Sequence, residues 1–310
     1  MPVIPHPGDH GGDAVALARA LGVEVSSILD LSVSVNPVTG ASAAEVVRRH
    51  AASVERYPDA AVAVAALADC LGVDDDRVVL TNGGAEAIAL VAAEWPEGWV
   101  EEPDFALYRR HLGSVVRGAP VWRSNPHNPS GRLAAVDEAV AVWDEAFYPL
   151  ATGRWTRGDA DRGAVVVGSL TKLLACPGLR IGYVLAPDAD VAARVRARQP
   201  RWSVNGPACA ALPELLAAVD VEKTATVVAQ LRAELVDVLG GHGLGVEAAD
   251  APWVLVRGVP KLRRRLAVHG VLVRDCMSFG MPDTVRIAVP DEHGLARLDR
   301  VLGRSVTPTR

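Results

Sequence analysis

Short apolar runs alternate with alanine-rich stretches of helical periodicity over most of this chain. Strands buried on both faces read as near-continuous Val/Ile/Leu runs, and an intervening helix returns the chain to start a parallel neighbour. The pattern therefore predicts an α/β fold, a three-layer arrangement with a mostly parallel sheet between helices. Strands are expected over 78–80, 120–123, 140–143, 165–168 and 181–186, and helices over 61–71, 85–95, 105–111 and 208–219. After an amphipathic helix over 223–239 the order becomes strand (252–256), helix (262–269), strand (271–274), strand (285–289), helix (292–302). That order reads as a second, smaller α+β unit. Pro and Gly cluster over 200–207, between the two patterns. Two connections are short for such a fold. Residues 132–138 leave no room for a full helix before the strand ending at Asp144, because a parallel crossover needs about a dozen residues. The stretch 111–125 is similarly compressed, so part of the sheet must be joined by something other than ordinary βαβ units.

With 310 residues, half of them hydrophobic and 22% charged, one large packed domain plus a smaller one is expected. No apolar run is long enough for a membrane span, and Met1-Pro-Val-Ile-Pro-His6 lacks the basic and apolar regions of a signal peptide. A cytoplasmic protein without a membrane partner is the expectation. The net charge of −5 gives no support for a nucleic-acid surface, and Arg263-Arg264-Arg265 reads as the solvated face of a helix. Cys70, Cys176, Cys209 and Cys276 are widely spaced, as free thiols in a reducing compartment would be. The eight histidines show no metal-ligand spacing, so no metal is expected. Neither G-x-x-x-x-G-K-[ST] nor G-x-G-x-x-G occurs, which leaves a nucleotide site unsupported.

Of 32 lysines and arginines only Lys172, Lys223 and Lys261 are lysines. Lys172 lies inside the apolar run 163–175, where an ammonium is costly unless paired, neutralised or used covalently. Schiff-base chemistry is the covalent use. Around it stand the residues of an anion site. Thr81-Asn-Gly-Gly-Ala-Glu86 follows a strand and opens an apolar helix; Gly84, Ala85 and Glu86 lie at its start, where free N–H groups attract an anion. An ordinary strand–turn–helix reads the same way. Ser169 and Arg180 supply a hydroxyl and a guanidinium fork for that anion. A phosphate so held beside a Schiff-base lysine describes pyridoxal phosphate. Asp144 ends a strand, where it either pairs with the pyridine nitrogen or caps the next turn. Asn128, in Asn125-Pro-His-Asn-Pro-Ser-Gly131, either donates to the ring oxygen or belongs to a plain turn. Phe105 either stacks on the ring or fills core.

Taken in order, Asn82-Gly-Gly-Ala-Glu86, Pro103-Asp-Phe105, Asn125-Pro-His-Asn-Pro-Ser-Gly131, Asp144-Glu-Ala-Phe147, Ser169-Leu-Thr-Lys172 and Arg180 resemble the class I/II, fold type I pyridoxal-phosphate aminotransferases. The resemblance covers nearly the whole chain and points to the branch of histidinol-phosphate aminotransferase and threonine-phosphate decarboxylase. His10-Gly-Gly-Asp13, Asp30-Leu-Ser-Val-Ser-Val-Asn-Pro37, Arg56-Tyr-Pro-Asp59, Trp202-Ser-Val-Asn205 and Arg274-Asp-Cys276 look closer to the decarboxylase of cobalamin synthesis.

The resemblance implies an N-terminal arm (1–40) packed on the small domain, a cofactor-binding domain (41–205) and a small domain (206–310). It implies a homodimer in which Tyr57 reaches the partner's cofactor phosphate. Arg286 would bind the substrate carboxylate, with Arg274 and Asn36 holding substrate and His10 near its distal phosphate; both arginines flank short strands and could equally be exposed. Phe147 stands where transaminases of this branch often carry Tyr, so a hydrogen bond to the ring oxygen is missing. The expected substrate is a phosphorylated amino acid or amine. Loss of CO₂ from threonine phosphate is the first expectation. Amino transfer from histidinol phosphate, with Lys172 moving the Cα proton, is the alternative. A catalytically reduced cofactor-binding protein of the same fold is the third.

Overall fold

In the computed structural model, which describes residues 3–8 and 10–305, seven strands form the larger sheet. Their spatial order is Val78–Thr81, Gly182–Leu185, Val165–Ser169, Val142–Asp144, Val121–Ser124, Glu97–Val100 and Ser114–Val115. Gly182–Leu185 runs antiparallel to both neighbours, and the other adjacent pairs are parallel. Residues 1, 2 and 9 of the expected segment 1–40 and residues 306–310 of the expected segment 206–310 lie outside the described residues.

Successive residues of a strand point to opposite faces, and the core follows that rule. Val166 and Tyr183 pack with Leu67, Trp143 and Leu212 on one side. Val165, Val167 and Val184 pack with Ile88, Trp122 and Val195 on the other. Helices Ala61–Leu71 and Gly206–Ala217 cover the first face; Gly83–Glu94 and Ala189–Ala197 cover the second. The three layers expected from the alternation are thereby formed.

A second sheet has the order Leu29–Leu31, Val271–Asp275, Val285–Ala288, Trp253–Val256, Val246–Ala248. Leu29–Leu31, within the expected segment 1–40, pairs parallel with Val271–Asp275, and the remaining pairs are antiparallel. The apolar core changes hands later than 205/206. Gly206–Ala217 gives Cys209, Leu212 and Leu215 to the larger core. Helix Val221–Gly241 begins there with Val228, then gives Leu231, Leu235 and Leu239 to the smaller one.

The two compressed connections have distinct solutions. Residues 111–125 hold the short edge strand Ser114–Val115. Residues 125–141 cross between parallel strands with no helix at all. The carbonyls a helix would satisfy internally are taken by one side chain: Arg157 Nη2 donates to Ala135 O (2.7 Å), Val136 O (2.9 Å) and Glu138 O (3.0 Å). Its guanidinium lies 4.9 Å from the centre of the Trp143 ring, which holds the plane in place.

Candidate active site

Four glycines let three elements meet at the C-terminal edge of the larger sheet. A Cβ on Gly182 would lie 2.5 Å from Gly83 C and Gly84 N and 2.8 Å from Gly168 O. Gly83, at φ +78°, turns strand Val78–Thr81 into helix Gly83–Glu94. The helix start thus lies directly on the strand ends, with its free N–H groups beside Ser169, whose Cβ is 3.2 Å from where one on Gly84 would be. Arg180, in the left-handed region at φ 58°, lays its guanidinium over Gly83, while its Nη1 donates to Pro177 O at 3.2 Å.

Lys172 follows strand Val165–Ser169 in the single turn Leu170–Leu173. Burial lowers its pKa from 10.5 to about 8, with Arg286 and Arg180 pushing the same way and Asp144 opposing. Its carbonyl accepts Asn36 N at 2.8 Å, and Asn36 Nδ2 donates to Leu173 O at 2.9 Å. Asp144 ends the adjacent strand. Its Oδ2 accepts from Tyr108 Oη (2.8 Å) and its Oδ1 from Ala146 N (2.9 Å). Burial nevertheless raises its pKa above the usual carboxylate value. Asn128 Oδ1 accepts from Arg286 Nη1 at 2.8 Å.

Arg286 and Arg274 come from the smaller sheet, where they are cross-strand partners. Both are buried, and the guanidinium of Arg286 lies 4.6 Å from the centre of the Trp253 ring. Burial first, and Arg274 second, bring the pKa of Arg286 down to about 9, which leaves it a cation at neutral pH. Like charges set directly opposite one another are destabilising. Such a pair makes physical sense where anionic groups arrive from outside.

One cavity of about 290 Å³ brings together His10, Gly84, Ala85, Phe105, Asn128, Asp144, Phe147, Ser169, Lys172, Arg180, Arg274 and Arg286. His10 meets the Phe105 ring edge to face at 5.4 Å. Three expected site residues do not line it. The Glu86 carboxylate turns back to accept from Asn82 N (2.7 Å), Ser203 Oγ (3.0 Å) and Gln199 Nε2 (3.2 Å), closing the start of its own helix. Asn36 spends its polar atoms on the backbone behind Lys172 and on Val38 N. Tyr57, 77% exposed, stacks on Trp202 at 4.4 Å and faces outward. The cavity also contains residues the sequence did not single out. Tyr108, the partner of Asp144, comes three residues after Phe105, a spacing that could have drawn attention to it. Ser34 presents a buried hydroxyl with no protein partner among the described residues, and only its place beside Asn36 hinted at it.

A buried amine of lowered basicity, a buried carboxylate across the cavity and a rim of N–H groups, hydroxyl and guanidinium are the donor set that pyridoxal phosphate requires. No group of residues suited to a metal occurs among the described residues. Fold and site define a pyridoxal-phosphate enzyme of fold type I.

Comparison with known proteins agrees. The family model "Aminotransferase class I and II" matches residues 101–304. The histidinol-phosphate aminotransferase of Halobacterium salinarum is 32% identical over 88% of this chain and 89% of its own. The threonine-phosphate decarboxylase of Salmonella typhimurium is 29% identical over 94% and 96%. The histidinol-phosphate aminotransferase of Sinorhizobium meliloti, solved with pyridoxal-5'-phosphate, superposes with a TM-score of 0.78 over 98% of this chain and 95% of its own, at 16% identity. The chain belongs to the class I and II aminotransferase family.

Proposed function

We propose that this enzyme acts on an amino acid bearing both a carboxylate and a phosphate, and that it is a threonine-phosphate decarboxylase. The observation that carries the reading is the buried pair Arg274–Arg286, two like charges facing one cavity. Two guanidiniums suit two anionic groups on one small substrate. Threonine phosphate has both. Histidinol phosphate has no carboxylate. Phe147, which offers no hydroxyl to the ring oxygen and packs on Trp253 at 4.9 Å, also departs from the tyrosine often carried by transaminases.

In this reading Gly84, Ala85, Ser169 and Arg180 hold the cofactor phosphate, Asp144 holds a proton at the ring nitrogen, Asn128 meets the ring oxygen and Phe105 covers the ring. When bound, pyridoxal phosphate supplies the electron sink for a bond broken at the substrate Cα. Lys172 anchors the cofactor and, once CO₂ has left, delivers a proton to Cα, work suited to an amine with a pKa of about 8. Arg286 orients the substrate carboxylate. Arg274, His10 and the Ser34 hydroxyl receive the distal phosphate. Asn36 acts by fixing the backbone of Lys172.

Residues 1–40 serve as an arm on the small C-terminal unit, with strand Leu29–Leu31 as its anchor. The protein works as a homodimer in the cytoplasm. The exposed Tyr57–Trp202 stack is the surface that would reach a partner, and the four free thiols suit a reducing compartment. Histidinol-phosphate amino transfer is the second reading. The same two arginines suit the two carboxylates of 2-oxoglutarate, and relatives of that name are among the matches.

Product analysis decides between them. Incubation with threonine phosphate is expected to release CO₂ and aminopropanol phosphate. Glutamate formed from histidinol phosphate and 2-oxoglutarate, without CO₂ release from threonine phosphate, overturns the first reading in favour of the second.

A further inference from the structure

We propose that Asp104 is a positioning residue, setting the contacts of Phe105 and Asn128 in the active-site cavity through Ser124. The proposal rests on the cofactor reading above. Asp104 is 3% exposed and stands in the wall behind Phe105, outside the cavity itself. Three donors converge on its carboxylate. Oδ1 accepts from Phe105 N (2.7 Å) and Ser124 Oγ (2.5 Å), and Oδ2 accepts from Ser124 N (3.1 Å). Ser124 Oγ in turn accepts from Asn128 N at 2.7 Å, and Asn128 Oδ1 accepts from Arg286 Nη1 at 2.8 Å.

The direction of these bonds is fixed by the acceptor at their end. When ionised, the carboxylate only accepts; it then takes the single hydroxyl proton of Ser124 and leaves the oxygen lone pair for Asn128 N–H. One side chain thereby holds the strand end at Ser124, the turn at Asn128 and the segment carrying Phe105. Its titratable and charged neighbours are Asp144 and Tyr108 inward, and Glu101, Glu102, Arg123, His127 and Glu138 outward. Burial raises its carboxyl pKa to about 7 against the pull of the three donors. A carboxyl so costly to ionise where it stands is justified by the order it imposes.

Two variants test this. In D104N the amide can still accept from Ser124 Oγ and Phe105 N, but its NH₂ faces Ser124 N–H. In S124A the hydroxyl is lost with its bonds to Asp104, Asn128 and Tyr108, while Ser124 N still donates to Asp104. For each, affinity for pyridoxal 5'-phosphate is measured by tryptophan quenching of the apo protein. The visible circular dichroism of the bound cofactor reads ring orientation, which a merely structural change would leave unaltered. Both variants are expected to bind about tenfold more weakly and to lose much of the visible dichroic band. Affinity within twofold of wild type and an unchanged band overturn the proposal. Should D104N not fold, S124A decides alone by the same criteria. If the wild type itself binds no pyridoxal phosphate, the cofactor reading falls and the relay with it.

Discussion

Lys172 lies in a wall that gives its ammonium little help. With its pKa brought from 10.5 to about 8, the folded apo protein bears a penalty of roughly 3 kcal/mol at neutral pH. The penalty is complete below pH 8 and relieved between pH 8 and 10.5, where the unfolded chain binds the extra proton. Lys172→Ala is therefore expected to fold at least as stably as wild type in thermal melts while losing turnover by about 10³ or more. Near-normal turnover would refute its role. Only the neutral amine can capture pyridoxal phosphate, so the capture rate, followed by visible absorbance on mixing, is expected to rise about tenfold from pH 6 to 7 and to level off above 8. A rate flat from pH 6 to 8 would contradict this. Most of the site was legible at this scale, since Lys172, Asp144, Asn128 and Arg180 stand in motifs whose turns and strand ends announce them. Tyr108 and Ser34 were not singled out, because spacing from Phe105 and Asn36 was their one local sign and where a hydroxyl aims across a fold is not written in the sequence around it. Glu86 misled for the opposite reason: its place in the first turn of a helix is a capping position, and capping is what it does.

Among elements, the long periodic helices and the apolar strands were readable, most closely Ala61–Leu71, while Glu97–Val100, Ser114–Val115 and Leu29–Leu31 were not. Those strands are two to four residues long, and their pairing comes from the sheet rather than from any run of their own. The glycine junction makes a sharp prediction. Gly182→Ala would drive a methyl into backbone atoms of Gly83, Gly84 and Gly168, which cannot rotate away. A stability loss of about 2 kcal/mol or more in denaturant unfolding is expected, together with weakened cofactor binding. The helix-free crossover makes another. Arg157→Ala leaves the carbonyls of Val136 and Glu138 without this donor and Ala135 O with Glu138 N alone, at a cost of about 1–3 kcal/mol overall, and is expected to expose 132–141 to limited proteolysis before the rest of the chain. Equal protease resistance would show that the crossover holds itself.

At the scale of the molecule, two buried carboxyls tie stability to pH. Burial raises Asp104 and Glu145 from 3.8 and 4.5 to about 7. The folded chain thus binds more protons than the unfolded one from about pH 4 to 7, and stability falls as pH rises through 7. Between pH 6 and 8 each group contributes a loss of about 1.4 kcal/mol. The melting temperature of the apo protein is expected to drop over that interval, and the drop to shrink in Glu145→Gln; a rise would reverse the sign assigned here. The pairing of Leu29–Leu31 with Val271–Asp275 has a consequence for how the protein is made. A ribosome delivers the first of these strands early and the second only near the end of synthesis. During that interval the arm has no sheet to join, while Val78–Thr81 through Gly182–Leu185 can already assemble the larger core. The nascent chain therefore brings Ser169 and Arg180 to the start of helix Gly83–Glu94 before it acquires Arg274 and Arg286, so that under the proposed roles the ability to bind substrate would arrive last.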